Sequence, residues 1–484
     1  MALANAKVPT LLPINVADVE GMVLTNNVKI SLAKTDFEIA NADVQKARGD
    51  FDYYFTLNPS YKYDQRLTNS VFDLEVVEEK TTSYSLALKK KFSLGTVTEL
   101  SLQHLQIHTN SARSLLENRY QTAGQAKLTQ PLLGGGGFAF NEAKLRQAEL
   151  RKKQAYWTLI EKMNEVTAQS LGLFWELYKA QQEVQLKSDA VEGARSKLEE
   201  IEKRYTEGNT SSFDVIYARP RLEIAKASLL LAQSNSLEVN EKLSREILPL
   251  THDTREIHLI PQTKSPSFFD LKIAVDVLKQ KSTQEVSIAQ RQRMQFEINE
   301  ASVEIEKAAN AKLPQFNLDL KYLTTGMDIQ ENQARQNMLA NKNPSWTAML
   351  TFSMPLEFNS TQGEYDRVSV AKSIKENQHR NELLSGKLEI DSSLRDLERL
   401  TTNFENNELQ LERQSEILKY KKLLFQNGKI SILELGGAQD EYDSFITKKF
   451  QIYADQQKLK AFIEGKLNFI VTDQTLRNQY PPGL

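Results

Sequence analysis

Two hydrophobic periods alternate along the chain. At residues 51–63 the period is two: Phe51, Tyr53, Phe55, Leu57, Tyr61 and Tyr63 are apolar or aromatic, whereas Asp52, Thr56, Asn58, Ser60 and Lys62 between them are polar. That alternation predicts a strand with one greasy face. Further strands are expected at 82–92, 96–107 and 121–132, and a second pair carries the clearest alternation. Phe316, Leu318, Leu320 and Tyr322 form one face of the first strand of that pair, and Trp346, Ala348, Leu350, Phe352 and Met354 one face of the second. The residues between them, 324–344, read as a polar loop.

Elsewhere the period is helical. Short helices are expected at 16–27 and 28–48, the second ended by Gly49, and a continuous pattern runs from 138 to 205, interrupted only by Gly172 and Gly193. At 1.5 Å per residue that segment is about 100 Å long, far beyond an ordinary globular helix. The next helix carries two heptad tracks, Val215, Leu222, Leu229, Ser236 and Leu243 on one and Ala218, Ala225, Ala232 and Val239 on the other. Alanine on one track lets coiled-coil partners approach closely. Pro220 lies within this helix and removes one backbone bond, so a bend is expected there. Residues 249–266 contain three prolines and little periodicity and read as a link. Helices follow at 268–311, 362–425 and 431–469.

The two longest helices end in the same turn. Tyr205, Gly208, Ser211, Asp214 and Val215 match Phe425, Gly428, Ser431, Glu434 and Leu435 at a constant offset of 220. Each glycine suits the left-handed conformation that stops a helix, and each serine suits the cap that starts the next, with an acid three residues on. The chain therefore reads as two repeats of helix, strands, long helix, tip and return helix. The first spans 16–248 and the second 268–470, joined by the equatorial segment 249–267 and followed by a tail, 471–484.

Composition narrows the function. The 484 residues carry 61 Lys and Arg against 63 Asp and Glu, a net charge of -2, which gives no basic signature for nucleic acid. Cysteine is absent, so disulfides, thiolate metal sites and cysteine nucleophiles are excluded. His104 and His108 fall four apart on an expected strand, about 13 Å, too far to share a metal. Gly134 to Gly137 lacks the Lys-Ser/Thr of a phosphate loop and reads as a joint between strand and helix. No catalytic constellation and no cofactor are expected. No apolar run approaches the roughly 18 residues of a membrane-spanning helix, so a bilayer would have to be crossed by strands. Ala4-Asn5-Ala6 looks like the tail of a cleavage site, which suits a mature exported protein.

Strands of about ten residues with a continuous apolar face, flanked by Tyr, Phe and Trp, are what an outer-membrane barrel needs. Four to six strands cannot close a conducting barrel, so several copies would have to share one. The Asn27 region, the Thr129-Gln130-Pro131-Leu132-Leu133 strand end before the glycines, and the two tips, in that order, resemble the TolC-like outer-membrane efflux proteins from about residue 16 to 469. The resemblance implies a mainly α fold with a transmembrane β-barrel, a homotrimer in outer-membrane lipid whose helices extend into the periplasm. Its barrel would have twelve strands with two hairpins per chain, or eighteen if all four strands of the first half join.

It further implies an export duct for drugs, toxins or proteins, served by a periplasmic adaptor and an inner-membrane pump of RND, ABC or MFS type. Carried over by position, Glu434 and Asp214 would line the pore constriction. Gly208, Ser211, Val215, Gly428, Ser431 and Leu435 would form the adaptor-docking tips. Three positions depart from the family: Phe425 and Ile430 replace a Tyr and an Arg that lock some members shut, and Gly437 replaces a second acid. A soluble trimeric coiled-coil scaffold is the alternative from another class.

Overall fold

The computed structural model describes residues 10–69, 74–111, 114, 116–249, 257–263, 268–282 and 288–471. The expected cleavage-site tail at Ala4-Asn5-Ala6 and most of the C-terminal tail lie outside them. The chain divides into two compact units: one takes in residues 1–37, 155–294 and 379–484, the other 38–154 and 295–378.

In the first unit a short strand, β1 (Thr10–Ile14), precedes α1 (Val16–Asn26) and the first part of α2 (Val28–Arg48), whose residues from Glu38 on belong to the second. Asn15 caps α1, its side chain accepting from the Asp18 N–H at 3.0 Å while Asp18 returns the bond. Asn27, between the two helices, is buried and its amide donates to the Glu246 carbonyl at 3.0 Å. A 3-10 turn, Gly49–Phe51, follows α2.

The second unit contains one antiparallel sheet of six strands: β2 (Tyr53–Asn69), β3 (Leu74–Lys91), β4 (Val97–Thr109), β5 (Asn118–Pro131), then β7 (Gln315–Asp328) and β8 (Asn343–Ser353) in that spatial order. The register places Phe55, Leu88, Leu100, Ala126, Tyr322 and Trp346 in one cross-strand row, and Leu57, Leu86, Leu102, Gly124, Thr324 and Pro344 in the next on the same face. The opposite face carries rows such as Tyr54, Lys89, Glu99, Lys127, Lys321 and Thr347. All six strands thus share one greasy face and one polar face. At the level of the first of these rows the greasy face is uncovered: Phe55 is 68% exposed and Trp346 78%.

A glycine joint leads from β5 into α3 (Phe138–Asn141) and α4 (Ala143–Thr206). There a Cβ on Gly134 would come within 2.5 Å of the Leu313 carbonyl oxygen. After the first tip comes α5 (Ser212–Ile247), and Pro220 lies inside it without ending it. Its buried residues include Ala218, Leu222, Ala232, Val239 and Leu243, which belong to the two heptad tracks.

The link between the repeats holds β6 (Ile257–Pro261), which pairs in parallel with β1. Asn240 fixes β6 by donating to the Ile257 carbonyl and accepting from the Leu259 N–H, both at 2.8 Å. Periodicity could not find a five-residue strand whose partner among the described residues lies 247 residues earlier. Within the helix expected over 268–311, the described residues form α6 (Phe268–Ser282) and α7 (Ile288–Ala311); residues 283–287 are outside the described set.

The polar loop expected over 324–344 contains a helix, α8 (Glu331–Leu339). Its buried residues Ala334 and Met338 lie on the greasy-face side of the sheet, where Gly326 leaves room: a Cβ there would stand 2.6 Å from the Met338 N. Thr324 Oγ1 donates to the Met338 carbonyl at 3.0 Å, and His104 lies 3.4 Å from Glu331 at the other end. His104 and His108 otherwise bond to Thr122 and Asn118, and no cluster of three metal-ligating side chains occurs among the described residues. The second long helix is α9 (Asn359–Gln426), followed by the second tip and α10 (Ile432–Lys466). No helix is long and apolar enough to cross a membrane among the described residues.

Candidate functional site: the paired helical tips

Both tips are built by one backbone solution. At the end of α4 the Gly208 N–H donates to the Tyr205 carbonyl at 3.0 Å and the Asn209 N–H to that of Arg204 at 2.8 Å. At the end of α9 the Gly428 N–H donates to Phe425 at 2.9 Å and the Lys429 N–H to Leu424 at 2.9 Å. This double bond pattern needs a left-handed residue, and Gly208 and Gly428 take φ of 74° and 69°.

Three residues after each glycine, the return helix opens with a full capping box. Ser211 Oγ accepts from the Asp214 N–H at 3.4 Å, and Asp214 Oδ2 accepts from the Ser211 N–H at 3.3 Å. Ser431 Oγ accepts from the Glu434 N–H at 3.3 Å, and Glu434 Oε2 from the Ser431 N–H at 3.1 Å. Thr210 Oγ1 donates a further 2.6 Å bond to Asp214 Oδ2, so the Asp214 carboxylate is held more closely than that of Glu434.

The two tips share one apolar cluster, formed by Ile201, Ala218, Leu418, Phe425, Ile432, Leu435 and Ala438, with Val215 and Ile430 packed against it. Leu435 is 7% exposed and Val215 half-buried, whereas Gly208, Ser211, Gly428, Ser431 and Glu434 are exposed. The turn backbone and its caps are therefore what the tips present. Beside the second tip a groove of about 450 Å³ is lined by Ile417, Tyr420, Leu424 and Ile430, with Glu416, Lys421 and Glu434 at its edge.

The three departures have distinct surroundings. Phe425 is 8% exposed and lies under two cations of α4, Lys197 Nζ at 3.9 Å and the Arg204 guanidinium at 5.4 Å from the ring centre. An aromatic face attracts such cations, so this ring has polar company without a hydroxyl. Gly437 is exposed with open space where a side chain would be. Its neighbour Gly436 is crowded: a Cβ there would meet the Arg221 guanidinium, 2.9 Å from its central carbon.

Arg221 is the residue that sequence reasoning missed. From α5 it reaches across to α10, donating to Asp440 Oδ1 at 2.5 Å and to the Gly436 carbonyl at 3.5 Å, while its other arm donates to the Tyr217 hydroxyl at 2.8 Å. Burial opposes its charge, but the Asp440 and Tyr217 bonds outweigh it and raise the guanidinium pKa above its usual value. One signal was in the sequence: the Gly436-Gly437 pair inside a helix costs propensity unless something must approach closely there. One turn further along α10, burial pushes the Asp443 carboxyl above its usual value despite the bond it accepts from Gln439 at 2.9 Å.

No protein-family model and no curated protein matches the chain. Solved structures do. The Campylobacter jejuni CmeC outer membrane channel is 12% identical, with 96% of this chain and 88% of that one covered at a TM-score of 0.69. The Vibrio cholerae outer membrane protein VceC is 12% identical, with 94% and 96% covered at 0.67. The open state of the Neisseria gonorrhoeae MtrE outer membrane channel is 12% identical, with 94% and 88% covered at 0.64. This chain, with its long helices, capped tips and antiparallel sheet, therefore has the fold of these outer-membrane channels, the TolC-like fold that the sequence resembles.

Proposed function

We propose that three copies of this chain form an outer-membrane export duct. The observation that carries the reading is the apolar face shared by all six strands, uncovered at the level of Phe55, Leu100, Tyr322 and Trp346, with a lysine-bearing polar face behind it. Apolar-out and polar-in alternation suits a wall between lipid and a wet lumen, and a soluble protein would bury such a face. The helices then extend into the periplasm, and the tips receive a periplasmic adaptor coupled to an inner-membrane pump of RND, ABC or MFS type. Drugs, toxins or proteins are the cargo classes.

In this reading the exposed Gly208 and Gly428 turns, with Ser211 and Ser431, are the points of docking, and Val215 and Leu435 hold the turns from beneath. Glu434 has one carboxylate oxygen engaged by its cap and stands at an exposed position beside the groove, which suits a pore-facing acid. Asp214, tied by Thr210 and Ser211, contributes a more fixed charge. The chemistry is passive conduction, with no enzymatic step. Extraction from the outer-membrane fraction only with detergent, as an oligomer that dissociates on heating in gel buffer, is expected. A monodisperse monomer without detergent would contradict the duct, and a soluble trimer without detergent would support the scaffold alternative instead.

A further inference from the structure

The sheet has two free edges, β2 on one side and β8 on the other. Six alternating strands make these edges antiparallel to one another, so the β8 edge of one copy can pair with the β2 edge of the next. We infer that, within the trimeric duct proposed above, the edges join in this way, giving an eighteen-stranded barrel whose register is set by the lengths of the two strands.

The cross-strand rows set the starting register. Trp346 is level with Phe55, so continuing at right angles to the strands sets Asn343 level with Asn58 and Ser353 level with Arg48. Arg48 ends α2, and β2 begins only at Tyr53, so an unshifted join would leave half of β8 without a partner. β2 is 17 residues long against 11 for β8 and continues to Asn69. A displacement of six residues sets Asn343–Ser353 against 54–64, and one of eight sets it against 56–66, both wholly inside β2.

Even displacements also keep the greasy faces together. The greasy residues climb across the sheet in the same sense: on β8 they are Trp346, Ala348, Leu350 and Phe352, and on β2 Tyr53, Phe55, Leu57, Tyr61 and Tyr63. A displacement of six brings Phe352, Leu350 and Trp346 opposite Phe55, Leu57 and Tyr61, so the band closes on itself.

Closed barrels tie this displacement to strand tilt. Three displacements of six or eight residues in eighteen strands give a tilt of about 35° or about 43°, the usual range for membrane barrels. At a spacing of about 4.8 Å and a tilt of about 40°, each strand occupies about 6.3 Å of circumference, so the backbone radius is about 18 Å, against about 12 Å for twelve strands. Because all six strands carry the same greasy rows, β3 and β4 belong to the wall itself and widen it.

The chain has no cysteine, so introduced pairs report cleanly. Leu57→Cys combined with Leu350→Cys, or with Phe352→Cys, should give a disulfide between copies on mild oxidation of the detergent-solubilised oligomer. Leu57→Cys with Ala348→Cys, a displacement of four, should cross-link several-fold less. Linkage of Leu102→Cys to Leu350→Cys between copies, or of Phe55→Cys to Ala126→Cys within one, would mean that two strands leave the wall and would overturn the eighteen-stranded count while the trimer stands. A trimer in which no pair links would overturn edge-to-edge joining. A protein that stays monomeric in detergent would overturn the duct reading as well.

Discussion

Replacing Gly436 with alanine separates two contributions at the junction of the tips. Within α10 the change should stabilise the helix by about 1 kcal/mol, because glycine loses more backbone freedom on folding. The new methyl, however, occupies the place of the Arg221 guanidinium, which must swing away and release Asp440. Asp440 is largely exposed, so that ion pair is worth only about 0.5 to 1 kcal/mol. The two effects nearly cancel, and overall thermal stability should move by less than about 1 kcal/mol.

The cross-tip link itself should vanish, and hydrogen exchange of the amides near the tips in α5 and α10 can detect that. In the parent chain Asp440→Ala should speed local opening about 2- to 5-fold, the equivalent of that ion-pair energy. In the Gly436→Ala background the same substitution should change it by less than about 1.5-fold, since little coupling is left to lose. An undiminished effect of Asp440→Ala in that background would refute the role assigned to Arg221. So would a Gly436→Ala protein destabilised by more than about 2 kcal/mol, which would mean backbone rather than a movable side chain is in the way.

Three further outcomes are expected. Valine at Gly208 or Gly428 forces an L-residue into the left-handed region at a cost of about 1 to 2 kcal/mol, and should abolish export in a cellular assay while the oligomer survives on a gel; loss of the oligomer itself would limit these glycines to helix termination. Phe425→Leu removes the ring beneath Lys197 and Arg204 and should loosen the ends of α4 and α9 by about 1 to 2 kcal/mol in hydrogen exchange, whereas Lys197→Met should add little in that background. The Asp443 carboxyl, with its pKa raised by burial, costs stability once ionised: the unfolded chain loses that proton at a lower pH than the folded one, so stability falls as pH rises from the ordinary carboxylate range through the raised value. Asp443→Asn should therefore melt higher than the parent near neutral pH, and the difference should fade below the ordinary carboxylate range.

What the sequence disclosed depended on how local the determinant was. The capped tips were legible because glycine, serine and acid act within seven residues of one another. The greasy strands were legible because alternation is a property of the strand itself. β6 was missed because its partner β1 lies in a distant part of the chain and its five residues carry no period. α8 was missed because Glu331–Leu339 buries only Ala334 and Met338, against Gly326 of the preceding strand and Gly124 of the distant β5. The link from Arg221 to Asp440 spans 219 positions and is visible only once two return helices lie together. At the site, the acids and turns could be placed from sequence, while the cations over Phe425 could not, because α4 supplies them from more than 200 residues away.

The central claim, that this chain builds a conducting duct, is tested most directly by single-channel recording of the purified oligomer in a planar lipid bilayer. Discrete conductance steps, altered in size or cation block by Glu434→Gln, are the predicted result. An oligomer that inserts but passes no current in either form, or a protein that never inserts, would contradict the account.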